Sequence, residues 1–349
     1  MKILRYLLIF IPISFIGEFI QLPQTYMFFL SALAIIPLAG IMGESTEVIS
    51  YYAGNRIGGF LNATFGNATE LIIAFFAMKE GLSEVVKASI AGSVIGNILL
   101  VLGLSMIAGG LKHKTQYFNQ KVLDVTSSML LFAVIGLSIP AIFTHAFSQK
   151  ELTSQYEGLS VIVAIVMLCI YVLSLLFSFF THKDLYISEQ EKEEEKPKQS
   201  LKIAIILLII ATVCIGIESE IFVGTVEPMT KTFGLSEFFV GIILVPIIGN
   251  AAEHSTAVMM ALKNKMNISI EIALGSSLQI ILFVTPVLIL LSLIFSPMSI
   301  VFNTFELAAL IFSVLIANKL SSDGESNWLE GAQLVAVYII IAAGFFILK

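Results

Sequence analysis

Long runs of apolar residues, separated by short polar segments, set the hydrophobic pattern of this chain. Each run approaches or exceeds the roughly 20 residues that an α-helix needs to cross a bilayer. The runs are near-continuous rather than alternating, which favours helices over the strands of a membrane β-barrel. We therefore predict an all-α membrane protein with about eleven transmembrane helices. They cover residues 3–21, 25–50, 57–79, 83–110, 122–145, 157–180, 200–224, 235–262, 268–295, 299–319 and 328–348.

The composition agrees with this pattern and excludes several other classes of protein. Of the 349 residues, 57% are hydrophobic and 13% are charged, whereas a water-soluble domain of this length needs far more polar surface. The net charge of −6 includes no basic tract, so we expect no nucleic-acid partner. Cys169 and Cys214 lie in apolar runs and are expected to pack there. No cleavage-site pattern follows the first run, so we expect it to be a retained helix.

The distribution of basic residues predicts an orientation in the membrane. With the N-terminus in the cytoplasm, 14 of the 19 Lys and Arg residues fall in segments on the cytoplasmic side. The positive-inside rule then places the N-terminus in the cytoplasm and the C-terminus outside, in a multi-pass protein of the cell membrane.

The longest connection, residues 181–199, carries a dense run of charge, and we call it the acidic linker. It is expected to be cytoplasmic. Two interpretations stay open: a solvated connection, or an element that attracts cations or regulates activity. The glutamates concerned are Glu189, Glu191, Glu193, Glu194 and Glu195.

The sequence contains an internal repeat at an offset of 183 residues. The stretch GNATE, which begins at Gly66, recurs as GNAAE from Gly249. At the same offset Glu44 falls on Glu227, and the Gly-Ser pair at 92–93 falls on the Gly-Ser pair at 275–276. Several matched blocks at one offset indicate a duplication.

Each copy of the repeat contains five predicted spans, and five is an odd number. The two copies therefore enter the membrane from opposite sides and form an inverted repeat, as in secondary transporters. We predict an extra N-terminal helix (residues 1–22), a first five-helix repeat (23–180), the acidic linker (181–199) and a second five-helix repeat (200–349).

The repeated motif places one carboxylate in each half of the predicted membrane region. A charge there is costly and needs a bound cation, a proton or a polar partner. Asn67 and Glu70 are three residues apart and share a helix face, while Gly66 allows the helix to break and free its carbonyl oxygens. Brought together, the two halves would supply an all-oxygen cluster, which suits hard cations such as Ca²⁺. Its predicted side chains are Glu70, Glu253, Asn67, Asn250, Ser93, Ser276 and Gln279.

Other residues near these motifs have competing interpretations. The small residues Ala88, Gly92 and Gly96 are also typical of close helix packing. Asn97 lies beside the Ser93 face, and His254 is expected to pack or to hydrogen-bond a ligand rather than bind the cation. Glu44 and Glu227 would be either solvated helix ends or acids lining an access path. These remaining candidates are Asn97, His254, Glu44 and Glu227.

The paired motifs GNATELIIA and GNAAEHSTA resemble those of the cation/proton exchangers, within the calcium/cation antiporter superfamily. The elements GSVIGN and GSSLQI resemble the neighbouring Gly-Ser motifs of that family, and the likeness extends over spans two to eleven. The resemblance implies Ca²⁺/H⁺ antiport, with Glu70 and Glu253 used alternately by Ca²⁺ and protons. It also implies help from backbone carbonyls near Gly66 and Gly249. One departure is Gly96, where the family often has a serine.

These observations lead to a non-enzymatic secondary transporter of microbial type. We expect alternating access, export of cytoplasmic Ca²⁺, the lipid bilayer as surroundings and no cofactor, with Ca²⁺ as the transported substrate; a homo-oligomer is left open. The alternatives are a Na⁺-coupled or Mn²⁺-preferring exchanger and, from another class, a cation channel. No nucleophile–base pair or two-histidine metal motif in the spans supports an intramembrane enzyme.

Overall fold

The computed structural model describes residues 6–146, 153–182, 185, 197, 199–295, 297–320 and 322–347. This part of the chain is predominantly helical, as the apolar pattern predicts. In chain order the α-helices are α1 (Phe10–Phe19), α2 (Gln24–Ala53), α3 (Asn55–Phe65), α4 (Ala68–Lys79), α5 (Ser83–Ile95), α6 (Leu102–His113), α7 (Gln120–Ala146), α8 (Thr153–Leu176), α9 (Leu201–Gly224), α10 (Val226–Phe233), α11 (Glu237–Phe239), α12 (Val245–Gly249), α13 (Ala251–Leu262), α14 (Met266–Gln279), α15 (Thr285–Phe295), α16 (Thr304–Leu320) and α17 (Trp328–Ile347). A 3₁₀ turn at Leu7–Ile9, π-helical turns at Gly96–Val101, Phe177–Thr181, Val240–Leu244 and Ile280–Val284, and strands β1 (Thr115–Tyr117) and β2 (Glu325–Asn327) complete the described elements.

Seven helical stretches among the described residues are long and apolar enough to cross a membrane. An eighth results if α10 and the stretch Glu237–Gly249, which are bent by 116°, form a single span. The apolar stretch Leu7–Phe19 is shorter. The predicted runs 57–79 and 299–319 also correspond to broken or shorter helices. The fold is therefore a multi-helical membrane-type fold. The acidic linker, with its glutamates at 189–195, lies outside the described residues.

Two of the predicted spans are interrupted at the asparagine of the repeated motif. The first separates into α3 and α4, because Asn67 leaves the helical region with φ −104° and ψ 26°. In the second repeat α12 ends at Gly249 and α13 begins at Ala251. Glycine and asparagine are weak helix formers and tolerate such breaks. The sequence analysis names such a break as something that the motif glycine allows, and the structure contains it in both repeats.

The partner helices stay continuous but contain π-helical turns. α5 runs through the turn Gly96–Val101 into α6, and α14 runs through the turn Ile280–Val284 into α15. Both turns begin shortly after the serine of a Gly-Ser pair, at matching places in the two repeats. π-Helical turns inside α-helices occur frequently at functional sites.

The described residues within 1–80, 172–235 and 248–252 form the first of two compact units. A buried apolar cluster joins α2 to α9 through Leu38, Met42, Ala211 and Ile215. The N-terminal helix α1 contributes Ser14, whose hydroxyl donates a 2.8 Å hydrogen bond to the buried Glu218 carboxylate on α9.

The described residues within 81–171, 236–247 and 253–349 form the second unit. α5 crosses the π-helical turn at Val240–Leu244 so closely that a Cβ added at Gly92 would lie 2.0 Å from the Ile242 carbonyl oxygen. A Cβ at Gly241 would lie 2.9 Å from the Val85 carbonyl oxygen. Only glycine fits at such a backbone crossing. Elsewhere in this unit β1 and β2 pair antiparallel, with Gln116 opposite Ser326.

Candidate cation site

The first repeated motif lies in the first unit, at the start of α4. Asn67 is buried, precedes the helix, and accepts a 3.1 Å hydrogen bond from the Leu71 amide through its carbonyl oxygen. Glu70 follows in the first turn and is half-buried. The helix break thus places the carboxylate beside the N-terminal end of α4, where backbone N–H groups point outward.

Residues of the second repeat also belong to this first unit. The Glu70 side chain packs on Gly249, because a Cβ built there would lie 3.1 Å from Glu70 Oε1 and 3.5 Å from Glu70 Cδ. Asn250 follows and is fully buried. The structure therefore brings Glu70 and Asn67 of one repeat into the same unit as Gly249 and Asn250 of the other. The predicted glycine at 249 has a specific role here, since it leaves room for the carboxylate.

The second carboxylate lies in the second unit, in the first turn of α13. Glu253 is half-buried and accepts a hydrogen bond from the Ser276 side chain on α14. Its Oε2 atom is buried and has no hydrogen-bond partner within the described part of the chain. A buried carboxylate oxygen of this kind is an available ligand for a cation or a proton.

A chain of hydrogen bonds extends from Ser276 to His254. Asn97 donates through Nδ2 to Ser276 Oγ at 3.1 Å, and its Oδ1 lies 3.1 Å from His254 Nε2. With this amide orientation, His254 donates to Asn97 and Ser276 keeps its hydroxyl hydrogen for Glu253. The sequence placed Asn97 only beside the candidate face, and the separation of 179 residues between Asn97 and Ser276 gave no signal of their contact.

The opposite end of α13 is held by side chains that the sequence did not identify. Gln116 on β1 is buried and donates from Nε2 to the Ala261 carbonyl at 2.9 Å. Lys112 donates to the Leu262 carbonyl at 2.9 Å. These donors satisfy the last carbonyl groups of the helix, and the Lys112 charge also favours its C-terminal end. The helix that carries Glu253 is therefore anchored at its far end.

The remaining predicted residues differ in how far they are buried. Ser93 is buried on α5, and Gln279 is half-buried at the end of α14, where the π-helical turn begins. Glu44 is half-buried on α2. Glu227 is exposed on α10 and forms a 2.5 Å ion pair with Lys231. Within the described ranges, the structure gathers no group of three or more His, Cys, Asp or Glu side chains suited to a metal.

Together, the helix breaks, the duplicated carboxylates and the oxygen-rich side chains are features of a cation transporter. The chain matches the sodium/calcium exchanger protein family over residues 23–180 and 203–347, and it belongs to that family. A Ca(2+)/H(+) antiporter of Aphanothece halophytica is 48% identical over 355 residues, covering 97% of this chain and 95% of the relative. The Ca(2+)/H(+) antiporter ChaA of Bacillus subtilis (strain 168) is 47% identical over 343 residues, covering 97% of each.

A solved structure supports the same family assignment. The structure of native YfkE aligns with a TM-score of 0.86 and 43% sequence identity, covering 98% of this chain and 99% of the other. The relatives are transporters rather than enzymes. The similarity to the relatives compared by sequence and to the solved structure therefore extends over nearly the whole chain.

Proposed function

We propose that this protein is a secondary active transporter that exchanges Ca²⁺ for H⁺. The observation that carries the proposal is the duplicated motif, which places Glu70 and Glu253 each in the first turn of a helix directly after a break at Asn67 or Asn250. Secondary transporters bind ions at such broken helices. The antiporter relatives, at 47–48% identity, support Ca²⁺ and H⁺ as the two ions.

Glu70 and Glu253 are proposed as the principal carboxylate ligands of the cation. Ca²⁺ takes six to eight oxygen ligands in flexible geometry, so neutral oxygens must complete the shell. The hydrogen bond from Ser276 to Glu253 and the close packing of Gly249 on Glu70 support this assignment. Asn97 and His254 orient Ser276 rather than bind the ion. The neutral ligands proposed are Asn67, Asn250, Ser93, Ser276, Gln279 and the backbone carbonyls near Gly66 and Gly249.

The coupling of the two ions follows from competition for the same carboxylates. A bound divalent cation stabilises the ionised form, whereas two carboxylates without a cation favour proton uptake. A site loaded with Ca²⁺ therefore releases protons, and a protonated site releases Ca²⁺. Ca²⁺ and protons thus cannot occupy the carboxylates together. When the site is exposed to the two sides of the membrane in turn, one ion is exchanged for the other. No cofactor is required, since Ca²⁺ is cargo.

The finer architecture and orientation belong to the same proposal. We propose eleven membrane segments, with α1 outside two inverted five-helix repeats, in a multi-pass protein of the cell membrane. The N-terminus is placed in the cytoplasm and the C-terminus outside, because 14 of 19 basic residues then lie on the cytoplasmic side. With an inward proton gradient, this orientation favours export of Ca²⁺. The acidic linker is proposed to attract Ca²⁺ at the cytoplasmic face.

Uptake of radioactive Ca²⁺ into proteoliposomes tests the proposal. An imposed pH gradient should drive Ca²⁺ against its own gradient, in the absence of Na⁺, and Ca²⁺ addition should move protons in the opposite direction. A requirement for Na⁺ would identify a Na⁺-coupled exchanger, and stronger competition by Mn²⁺ than by unlabelled Ca²⁺ would change the substrate. Flux that only runs downhill would identify a channel and contradict antiport.

A further inference from the structure

Residues 297–303 of the second unit form a non-helical segment that buries alternate side chains, while its two end residues are exposed. Its side chains at 298, 300 and 302 are at most 5% exposed. Its backbone is held by two serines: Met298 N donates to Ser292 Oγ at 2.9 Å, and Ile300 N donates to Ser160 Oγ at 3.1 Å. Buried backbone groups need such partners. The predicted span 299–319 consequently begins as a helix only at Thr304.

A reciprocal pair of hydrogen bonds starts α16 directly after this segment. Asn303 N donates to Glu306 Oε2 at 2.8 Å, and Glu306 N donates to Asn303 Oδ1 at 2.9 Å. This reciprocal arrangement is a capping box. Glu306, however, is only 1% exposed, and its Oε1 atom is buried without a hydrogen-bond partner among the described residues. The cap uses Glu306 Oε2 and does not account for the burial of Oε1.

Lys87 on α5 pairs with an exposed carboxylate and also contacts the segment that precedes α16. Its side chain is 13% exposed, and Nζ lies 2.6 Å from Glu84 Oε1, whose side chain is 67% exposed. Nζ also donates to the Val301 carbonyl at 3.3 Å, which ties the buried segment to α5. Lys87 is thereby held at the segment that leads into α16, with the opposite charge of Glu84 beside it.

The other titratable groups on the elements around α16 are placed elsewhere. Lys121 and Asp124 on α7 lie at the far end of α16, because Gln120 donates to the Ser322 carbonyl. At the start of α17, Glu330 accepts a hydrogen bond from Asn327 N. The remaining titratable groups that the structure describes on these elements are Lys319 and Tyr338.

We propose that Glu306 is a proton-binding residue separate from Glu70 and Glu253, and that Lys87 controls whether it keeps its proton. While Lys87 pairs with Glu84, an ionised Glu306 would have a buried oxygen with no partner, so the carboxyl holds a proton. When that proton leaves to water, the Glu306 carboxylate attracts Lys87 away from Glu84 and from the Val301 carbonyl. The 297–303 segment then loses one of its attachments to α5. The inference does not depend on which cation is transported.

Infrared difference spectroscopy on the purified, Ca²⁺-free protein tests the proton site directly. An acid-minus-base spectrum should contain a protonated-carboxyl band that Glu306→Gln removes and that the control Glu220→Gln, at an exposed carboxyl, retains. In Glu84→Gln, which frees Lys87 from its ion pair, the band should disappear at a lower pH than in the wild type. Glutamine preserves the capping box, so the variant is expected to fold. In Lys87→Met the band should persist to higher pH, with a tenfold or greater gain in proton affinity, about one pH unit. An unchanged spectrum in Glu306→Gln, or an unmoved band in Lys87→Met, would overturn the proposal.

Hydrogen exchange tests the structural consequence. After correction for the intrinsic pH dependence of exchange, peptides covering 297–303 should exchange severalfold faster above the pH at which the band disappears. Glu306→Gln should exchange at the slow rate throughout, because it cannot ionise. An identical pH dependence in the wild type and Glu306→Gln would exclude a proton-controlled attachment, even if the carboxyl itself titrates.

Discussion

Replacing Glu253 by glutamine isolates the charge of one proposed ligand from its shape. Glutamine retains the length of the side chain and a carbonyl oxygen that can accept the Ser276 hydrogen bond. It cannot ionise, and the buried Oε2 position becomes an amide nitrogen. The change therefore removes a negative charge and a proton-carrying group while the surrounding helices keep their packing.

The expected magnitude follows from the electrostatics of a divalent ion beside a carboxylate. At a ligand distance of about 2.4 Å and an effective dielectric constant of about 20, the Coulomb attraction is roughly 14 kcal/mol. Most of it is offset by the hydration that the ion gives up, and glutamine still offers one oxygen. We therefore expect a net loss of about 3 kcal/mol, which weakens Ca²⁺ binding on the order of 100-fold.

The assay compares Ca²⁺ binding with ΔpH-driven Ca²⁺ uptake in proteoliposomes of equal protein content. Glu253→Gln should weaken binding and nearly abolish uptake, since the variant also lacks one proton carrier. Glu220→Gln provides the control, because Glu220 is an exposed carboxylate on a membrane helix, paired with Lys79 at 3.3 Å. Its uptake should remain near that of the wild type.

Retention of exchange would refute the reasoning. If Glu253→Gln protein transported Ca²⁺ against its gradient at a rate near wild type, Glu253 would be a packing residue and not a coupling site. Weakened binding with intact proton coupling would restrict Glu253 to ligation alone. Glu70→Gln is expected to behave like Glu253→Gln, and a difference between them would assign the two roles to different carboxylates.

Three further predictions follow from other parts of the chain. Gly249→Ala should raise the Ca²⁺ KM severalfold, because its Cβ would press on Glu70 Oε1, whereas Gly275→Ala, in open space, should leave the KM unchanged; equal values would contradict the packing argument. Asn97→Ala should lower uptake less than Glu253→Gln, since it removes only the hydrogen bonds to Ser276 and His254 and no charge, and an equal loss would make Asn97 a ligand. Glutamine at all five linker glutamates (189–195) should change the apparent Ca²⁺ affinity and preserve maximal flux, and complete loss of flux in folded protein would contradict this.

The helix breaks at the duplicated motif could be anticipated from the sequence, because the residues that favour a break are adjacent to one another. Gly66-Asn67 and Gly249-Asn250 combine weak helix formers with a carboxylate, and the structure interrupts both spans there. The capping pattern Asn303-x-x-Glu306 was also present in the sequence, but the apolar run beginning at 299 hid it and placed the helix start too early. The non-helical segment 297–303 buries alternate residues at 298, 300 and 302, but it is too short for this alternation to be distinguished from the apolar run that follows it.

Contacts between distant residues could not be predicted in the same way. The Asn97–Ser276 hydrogen bond joins residues 179 positions apart, and Lys87 meets Val301 across 214 positions. Both depend on how the helices pack, which hydrophobic pattern alone does not specify. The composition of each compact unit, which combines residues of both predicted repeats, depends equally on packing.

The position of each motif glutamate in the first turn of its helix has a consequence for turnover. The partial positive charge at a helix N-terminus favours a carboxylate and disfavours a neighbouring cation, by about 0.3–1 kcal/mol. This partial positive charge of the backbone therefore lowers the affinity of the site for the cation by roughly two- to fivefold. A transporter gains from this weaker binding, because a cation held less tightly dissociates sooner and frees the carrier for its next cycle.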